Sequence, residues 1–311
     1  MRYLKILVIG LLLVVPVMAT ADAEGVPDSA VWYFHIDLEQ MRADGPGQSV
    51  YAWLQDEALS EIKEEAGVDV NKELDSLTAF SIEGEGPVIL LEGDISQETK
   101  DKVMTFVAAG GDLSPLKSSG KSYYHFAGTE GDEPLTYSDG DIEIDFESLE
   151  DEAWVSMDLK NKILVTRSEK QMQAMLASNG KIAGRGSHNG ALLVLTAEKT
   201  LLQAGMNSAA VGDGDSDWDS NILRNTEQVA FLMAAAADKL ALEAKLVTAE
   251  PEMAESLASV VRGLVSLMAF SDEMDPEAIA VLQGTKVEAK GNSLSISLAI
   301  APELVVQTLS D

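Results

Sequence analysis

Residues 229–247 read VAFLMAAAADKLALEAKLV, and the structure they adopt decides which class of fold this chain takes. The alanine-rich first part has high helix propensity. Over residues 240–246, however, apolar side chains stand at every second position, which is typical of a strand with one buried side. Because Asp238-Lys239 supplies a turn between two such runs, we predict a β-hairpin here rather than one long helix.

The segments around this hairpin continue an alternation of strands and helices. Pro251 fits the first turn of a helix, and residues 290–292 (KGN) fit the turn of a second hairpin over 287–300. A strand over residues 191–195 precedes the first hairpin, and a short helix follows Pro302. The C-terminal part therefore predicts a mixture of hairpins and helices.

The N-terminal part of the chain shows the same order of elements. Turns are expected at residues 84–87 (GEGP) and at Lys160-Asn161, and Asn179-Gly180 is expected to end a helix. The predicted strands cover residues 31–37, 77–82, 88–91, 123–126, 154–157 and 163–165, and the predicted helices lie near 50–62, after Ser96 and over 168–177.

Because this order occurs twice, we infer an internal duplication and an α+β fold, with two similar halves of mostly antiparallel sheet and helices packed on one face. The first half is expected over residues 24–183, with an acidic insertion near 129–152. The second half is expected over residues 191–311, after a Gly-rich linker at 184–190. The two halves either form separate lobes or share one sheet.

The N-terminus carries the features of a secretory signal peptide. Arg2 and Lys5 precede an apolar run over residues 6–15, and the small-residue exit Ala19-Thr20-Ala21 follows it. The run is shorter than the ~20 residues of a membrane-spanning helix. We predict a signal peptide over residues 1–21, cleaved after residue 21 or 23, and a periplasmic or secreted protein with no membrane span after cleavage. An uncleaved anchor is the alternative.

Acidic residues dominate the composition. The chain has 52 Asp and Glu against 22 Lys and Arg, a formal net charge of −30, and no cysteine. Nucleic acid requires clustered basic residues, so nucleic-acid binding is excluded as a function. The lack of cysteine excludes disulfides and thiolate metal sites. Such a surface keeps an exported protein soluble, and cation binding, a cationic partner or a saline habitat are alternative reasons for it.

One acidic segment has the residue types of a calcium site. Carboxylates stand at alternate positions of a Gly-containing segment, at Asp213, Asp215, Asp217 and Asp219. Calcium prefers such oxygen donors, but Trp218 and Arg224 stand where an EF-hand loop requires Gly and a bidentate Glu. An irregular calcium site is therefore the alternative to a solvated acidic loop over 213–221, and we expect no other cofactor.

A second acidic segment, residues 139–147, alternates carboxylates with apolar residues. This pattern predicts a strand or β-ribbon with Ile142, Ile144 and Phe146 on one face. We interpret it as a charged edge that discourages strand-to-strand aggregation, with a docking surface for a cationic partner as the alternative.

An exported hydrolase is a further class of function. No Gly-x-Ser-x-Gly or His-Glu-x-x-His motif occurs, and His35, His125 and His188 lie far apart in sequence. His35 and His125 fall inside aromatic strands, which favours structural roles. His188 lies in the linker, where its polarity is explained without catalysis. The sequence therefore assigns no catalytic residue.

The helix over residues 253–270 is apolar enough to raise a membrane or lipid hypothesis. Its charged residues in this range are Glu255 and Arg262, whereas helices that bind membrane surfaces usually carry a face rich in Lys and Arg. We therefore expect a buried core helix, with small residues that suit close packing against a sheet.

Three segments carry a resemblance to a loosely defined group of exported bacterial proteins of unassigned function. They are Trp32–Leu38, residues 67–78 with Gly67-Val68-Asp69 before Leu74–Thr78, and Asn292–Leu298. The resemblance implies a secreted α+β scaffold and supplies no site residues. Together with the composition, it favours an exported, soluble, non-enzymatic binding or interaction protein with an unknown protein or small-molecule partner; a calcium-dependent module and a hydrolase are the alternatives.

Overall fold

The computed structural model describes residues 26–43, 45–60, 69–109, 111–128, 136–139, 142–145, 152–188, 190–202, 225–270 and 276–310. These residues belong to two compact units. The first unit consists of the chain up to Trp53 together with the chain from Gly186, and the second consists of Leu54–Arg185.

The described strands, in chain order, are β1 (Ala30–Asp37), β2 (Ser76–Ile82), β3 (Pro87–Glu92), β4 (Gly111–Ser118), β5 (Lys121–Gly128), β6 (Thr136–Asp139), β7 (Ile142–Asp145), β8 (Ala153–Ser156), β9 (Lys162–Thr166), β10 (Ala191–Glu198), β11 (Thr226–Ala236), β12 (Lys239–Thr248), β13 (Lys286–Lys290) and β14 (Ser293–Ile300). The described α-helices are α1 (Leu38–Ala43), α2 (Gly45–Leu54), α3 (Val70–Glu73), α4 (Gln97–Ala109), α5 (Glu169–Ala177), α6 (Pro251–Met268), α7 (Pro276–Gly284) and α8 (Pro302–Ser310), and a π-helical turn, Gln55–Leu59, follows α2.

Antiparallel strands form the framework of each unit. In the first unit the strands lie in the order β13-β14-β12-β11-β10-β1, and in the second they lie in the order β2-β3-β9-β8-β5-β4. Helices pack against these strands, α6 on β12, β13 and β14, and α5 on β8 and β9. The predicted α+β fold class, with mostly antiparallel strands, is confirmed.

Residues 229–247 form the predicted hairpin, with its turn one residue earlier than the predicted Asp238-Lys239. Strand β11 pairs with β12 as far as Ala236 opposite Lys239, so that Ala237 and Asp238 make the turn. Strand β12 also pairs with β14 along its other edge. Because both edges of β12 are hydrogen-bonded and Leu240 and Leu242 are buried, tertiary pairing overrides the helix propensity of the alanines.

The chain connects hairpins and a helix in the same order in the two units. In the second unit, the hairpin β2–β3 leads into α4, and the later hairpin β8–β9 returns to place β9 beside β3. In the first unit, the hairpin β11–β12 leads into α6, and the later hairpin β13–β14 returns to place β14 beside β12. A duplicated sequence would produce this repeated order of elements. The duplication itself stays a prediction.

The compact units do not follow the order of the predicted halves along the chain. Strand β1 pairs with β10, with Trp32 opposite Ala197 and Ile36 opposite Leu193. As a result, residues up to Trp53 belong to the same unit as the C-terminal part, although the sequence analysis assigned them to the first half. The boundary at Arg185 and Gly186 lies within the predicted linker.

Two short strands, β6 and β7, lie within the acidic insertion predicted near residues 129–152. Strand β6 pairs with β7 in a two-stranded antiparallel ribbon, with Asp139 opposite Ile142 and Thr136 opposite Asp145. The predicted β-ribbon is therefore present over these residues. Whether its acids discourage aggregation or attract a partner stays a prediction.

The sequence analysis missed strand β4 and helix α7. Strand β4 contains Pro115, opposite Tyr124, and lies at the end of the strand order of its unit. A proline in a strand normally argues against that assignment, but an edge position tolerates its missing N–H. Helix α7 has no fully buried residue, so its apolar side chains did not form a recognisable core face.

Candidate functional site

Helix α6 forms where the sequence analysis placed it, and one of its faces packs on the sheet of the first unit. Pro251 lies in its first turn, where the missing N–H costs no helical hydrogen bond. Ala254 and Ala258 are fully buried beneath the helix, next to strands β12, β13 and β14. Small side chains at these positions let the helix axis lie close to the sheet.

The opposite side of the helix is both apolar and exposed. Four residues of α6 and one in the turn directly after it make up what we call the α6 apolar face: Val260 (59% exposed), Leu264 (54%), Leu267 (71%) and Met268 (47%) on the helix, and Phe270 (86%) in the turn. Among the described residues, seven large hydrophobic side chains are exposed, and these five are the most exposed of them. In the part of the chain that the structure describes, the most exposed apolar side chains are therefore concentrated on one helix and the turn that follows it.

The polar groups on the outer side of α6 are already paired within the molecule. The hydroxyls of Ser256, Ser259 and Ser266 donate to the carbonyl oxygens four residues earlier, at 2.7, 3.0 and 2.8 Å. Arg262 donates from Nε to the carbonyl oxygen of Val287 at 3.1 Å, and its Nη1 lies 3.6 Å from Glu255 Oε1. The polar side chains of this surface are thus largely satisfied before any partner binds.

The expectation of a buried core helix over residues 253–270 is wrong for its C-terminal half. Of the apolar residues, Val261 and Val265 face inward and are partly covered, while Leu264 and Leu267 face solvent. The reason is geometric, since apolar residues occur on more than one side of the helix, and one sheet can cover only one side of it. Among the helices that the structure describes, none is long and apolar enough to cross a membrane.

The predicted calcium ligands lie outside the described residues. Asp213, Asp215, Asp217 and Asp219 fall between residues 202 and 225, which separates two of the described ranges. Within the described ranges, no group of three or more His, Cys, Asp or Glu side chains is arranged to hold a metal ion. The calcium site stays a prediction from the sequence.

Two of the three histidines, which the sequence analysis treated separately, meet in the first unit. The ring centroids of His35 and His188 lie 4.5 Å apart, and Tyr33 Oη lies 2.8 Å from His188 Nε2. Tyr33 and His35 are both buried on β1. Only the pairing of β1 with β10, the strand that follows His188, brings these residues together, so no local pattern could have found them.

The third histidine, His125, lies on β5 of the second unit, and the structural role expected for it stays a prediction. The ring of His125 stacks on Trp154 with centroids 4.9 Å apart, and Glu152 Oε1 lies 3.7 Å from its Nε2. His125 lies in the second unit, whereas His188 lies in the first. The hydrolase alternative stays a prediction, with no residue assigned to it.

A partly buried charge cluster stabilises the second unit. Lys162 Nζ donates to Glu92 Oε1 at 2.6 Å, and Arg185 Nη1 donates to Glu92 Oε2 at 2.9 Å. Burial on its own raises the pKa of Glu92, but the hydrogen bonds and positive charges of these two partners outweigh it, so the pKa is lowered. The cluster ties β3 to β9 and to the end of the unit.

A tyrosine also has a shifted pKa in this unit. Tyr123 is buried and its Oη donates to Glu169 Oε1 at 2.7 Å. Burial, with the nearby carboxylate, raises the pKa of Tyr123. Both shifts accompany contacts within the fold of the second unit, and neither group lies on the α6 apolar face.

Over the residues that the structure describes, the fold and this surface define a class of molecule: a mixed α+β protein with an exposed apolar helix face. No family model matches the chain. No curated protein matches it either.

Among solved structures, those of the Treponema protein TP0453 are similar. Crystal form III has a TM-score of 0.48 at 9% identity, covering 92% of this chain and 96% of that one. Crystal form IV has a TM-score of 0.47 at 9% identity, covering 94% and 100%. At these values the similarity carries no inference about the present chain.

Proposed function

We propose that this chain is an exported, non-enzymatic interaction protein that binds a partner through the α6 apolar face. The observation that carries the proposal is the run from Gly263 to Phe270, which contains no ionisable residue although the chain has a net charge of −30. Leu267 and Phe270 in this run are 71% and 86% exposed.

The physical argument concerns the free energy of exposed apolar surface. Covering a Leu, Met or Phe side chain is favourable by about 1.5–3 kcal/mol when the whole side chain is removed from water. Soluble monomers rarely expose contiguous apolar patches of more than about 300–600 Å², and larger patches mark interaction sites. Since the serines and Arg262 are paired internally, a partner would not have to replace water at many polar groups.

Binding of the neutral fluorescent dye Nile red to dilute protein tests this proposal. Changing Leu267→Ser and Phe270→Ser together should abolish most of the fluorescence gain, and because both side chains are exposed the fold should be unaffected. The matched control changes Gln307→Ser and Thr308→Ser, which are exposed on α8. Equal dye binding by both double variants would contradict the proposal.

Export rests on the leader sequence and has its own test. The signal-peptide hypothesis expects the secreted or periplasmic protein to begin at residue 22 or 24, after cleavage following residue 21 or 23. N-terminal sequencing of protein recovered outside the cytoplasm measures this directly. An unprocessed protein that stays in the cytoplasm would remove the export part of the proposal and leave the binding surface untouched.

A further inference from the structure

We infer that the α6 apolar face binds a helical segment of a partner protein that is apolar in its middle and basic at both ends. The inference rests on the proposed function, because it names the chemistry of the partner that this surface takes. The apolar side chains of the segment cover the face, and its Lys or Arg residues meet the carboxylates that flank the face on either side.

The first group of carboxylates lies at the N-terminal end of α6. Glu252 and Glu255 are exposed in the first turns of the helix, whereas residues 256–270 contain no carboxylate. Glu255 Oε1 lies 3.6 Å from Arg262 Nη1, but the Glu255 side chain is 65% exposed and is therefore open to a second cation. A basic residue of the partner has charged acceptors at this end.

The second group of carboxylates follows the face in the sequence. Residues 272–277 begin two positions after Phe270 and contain four acidic residues and no basic one. The last of these acids, Glu277, is exposed at the start of α7, and α7 contacts α6. The uncharged run of the α6 apolar face is therefore flanked by carboxylates on both sides along the chain.

This distribution of charge is complementary to a basic segment and to no acidic partner. Two parallel copies of the chain would set Glu252 and Glu255 against themselves, and two antiparallel copies would set them against the acids of residues 272–277. Like charges brought together across an interface cost binding energy. A partner with basic ends is attracted at both ends instead, and the net charge of −30 also attracts it from a distance.

The same charges disfavour an anionic lipid surface. Proteins that bind such surfaces use Lys and Arg to attract the headgroups. The one basic residue of α6 is Arg262, and it is held by the carbonyl oxygen of Val287 and by Glu255. The helix therefore offers apolar contact without a cation placed to bind a phosphate.

The form of the surface favours a helical partner segment. The backbone N–H and C=O groups of α6 are bonded within their own helix, so the partner has to satisfy its own backbone hydrogen bonds, as an α-helix does. The helix from Glu255 to Met268 is about 20 Å long, so a partner helix of about 14 residues covers it. A Cβ atom added at Gly263 would meet no atom within 4 Å, so the middle of α6 is open to a close approach.

Fluorescence anisotropy of labelled synthetic helices, added to the purified mature protein, tests the inference. The first peptide has two Lys at each end of a Leu- and Ala-rich middle, the second has Glu in place of Lys, and the third has Ser in place of Leu. We expect the first peptide to bind with an affinity at least about tenfold higher than either of the others, because both charge and apolar contact are required. Added NaCl should weaken its binding, because salt screens the attraction between opposite charges.

Two pairs of variants locate the binding on α6. Leu267→Ser with Phe270→Ser should weaken binding of the Lys peptide by about tenfold or more, whereas Gln307→Ser with Thr308→Ser should not.

Glu252→Gln with Glu255→Gln should also weaken it and reduce its dependence on salt. The matched control for these carboxylates is Glu98→Gln with Glu303→Gln, which removes the same charge from the first turns of two other helices and should have a smaller effect.

Three outcomes would overturn the inference. Equal affinity for the Lys and Glu peptides would show that charge does not select the partner, and equal losses in the two glutamine variants would assign the attraction to the net charge of the whole chain. A dimer in sedimentation velocity, or flotation with phosphatidylcholine vesicles, that the double serine variant at 267 and 270 abolishes would replace the basic segment by a second copy or a lipid surface. Each of these results leaves the proposed function standing, whereas unchanged Nile red binding by that variant rejects the proposed function itself.

Discussion

Gly93 allows two backbone segments of the second unit to approach more closely than any side chain permits. A Cβ atom at this position would collide with the carbonyl oxygen of Glu73 and lie 2.7 Å from the backbone N of Asp75. Asp75 N in turn donates to the carbonyl oxygen of Glu92 at 2.8 Å. The requirement for glycine here comes from close packing and not from a special backbone angle.

We predict that Gly93→Ala destabilises the protein by about 3 kcal/mol or more, because backbone atoms cannot move aside as a flexible side chain can. Gly263→Ala is the matched control, since it lies in a helix with open space around it and should stabilise the protein by about 1 kcal/mol. Urea denaturation of both variants measures the difference. Similar effects at the two glycines would show that the contact at Gly93 relaxes.

Glu92 is predicted to stabilise the protein in a pH-dependent way. Its lowered pKa means that its contribution is fully present above the unfolded-state value, near 4.5, and is lost as the pH falls through the folded-state pKa. Glu92→Gln should cost about 2 kcal/mol at pH 7, because it weakens charged hydrogen bonds from Lys162 and Arg185.

The difference between Glu92→Gln and the native protein should therefore shrink as the pH is lowered below about 4.5 in a series of denaturant titrations. Glu98→Gln serves as a control, because the ion pair of Glu98 with Lys102 is exposed and should contribute little. A constant difference from pH 7 to low pH would show that the charge of Glu92 is not what stabilises the cluster.

The hairpin β11–β12 turns through a residue that is poorly suited to its conformation. Ala237 has φ +57°, in the left-handed region that costs an L-residue with a Cβ roughly 1–2 kcal/mol. The pairing of β12 with both β11 and β14 holds this turn in place. Tertiary contacts thus select the hairpin against the local preference of the alanine run.

Ala237→Gly should accordingly stabilise the protein, by about 0.5–1 kcal/mol after the greater freedom of glycine in the unfolded chain is counted. Ala236→Gly, one residue earlier in the strand, should destabilise it by a similar amount. Thermal unfolding of the two variants gives the comparison. If both lowered the melting temperature equally, the turn would not be strained.

For helix α6, the sequence predicts where the helix lies but not which of its apolar residues are buried. Its start at Pro251 and its helical pattern were predictable, because both depend on neighbouring residues. Which apolar residues face the sheet was not predictable, since Val260, Leu264 and Leu267 are as hydrophobic as the residues that pack. The position of β12, β13 and β14 under one side decides this.

The net charge of −30 is a property of the whole molecule, and a test of the calcium hypothesis has to separate its screening by salt from specific binding. Any added salt should raise the melting temperature, because screening weakens the repulsion among carboxylates. At matched ionic strength, a site at residues 213–219 predicts a further rise with CaCl₂ that MgCl₂ does not reproduce. Asp213→Asn together with Asp215→Asn should remove that further rise, whereas equal shifts with both ions would leave the segment as a solvated acidic loop.

The sequence by itself determined the α+β class, most strands and helices, the acidic surface and the expectation of export, because periodicity, turn residues and charge are local or additive properties. Only the tertiary structure decided that β1 pairs with β10, that His35 meets His188, and that half of α6 stays uncovered. These features depend on which distant segments lie side by side. Pairing across more than 150 residues has no signature in either strand alone, and the candidate site exists because one sheet covers only one side of an apolar helix.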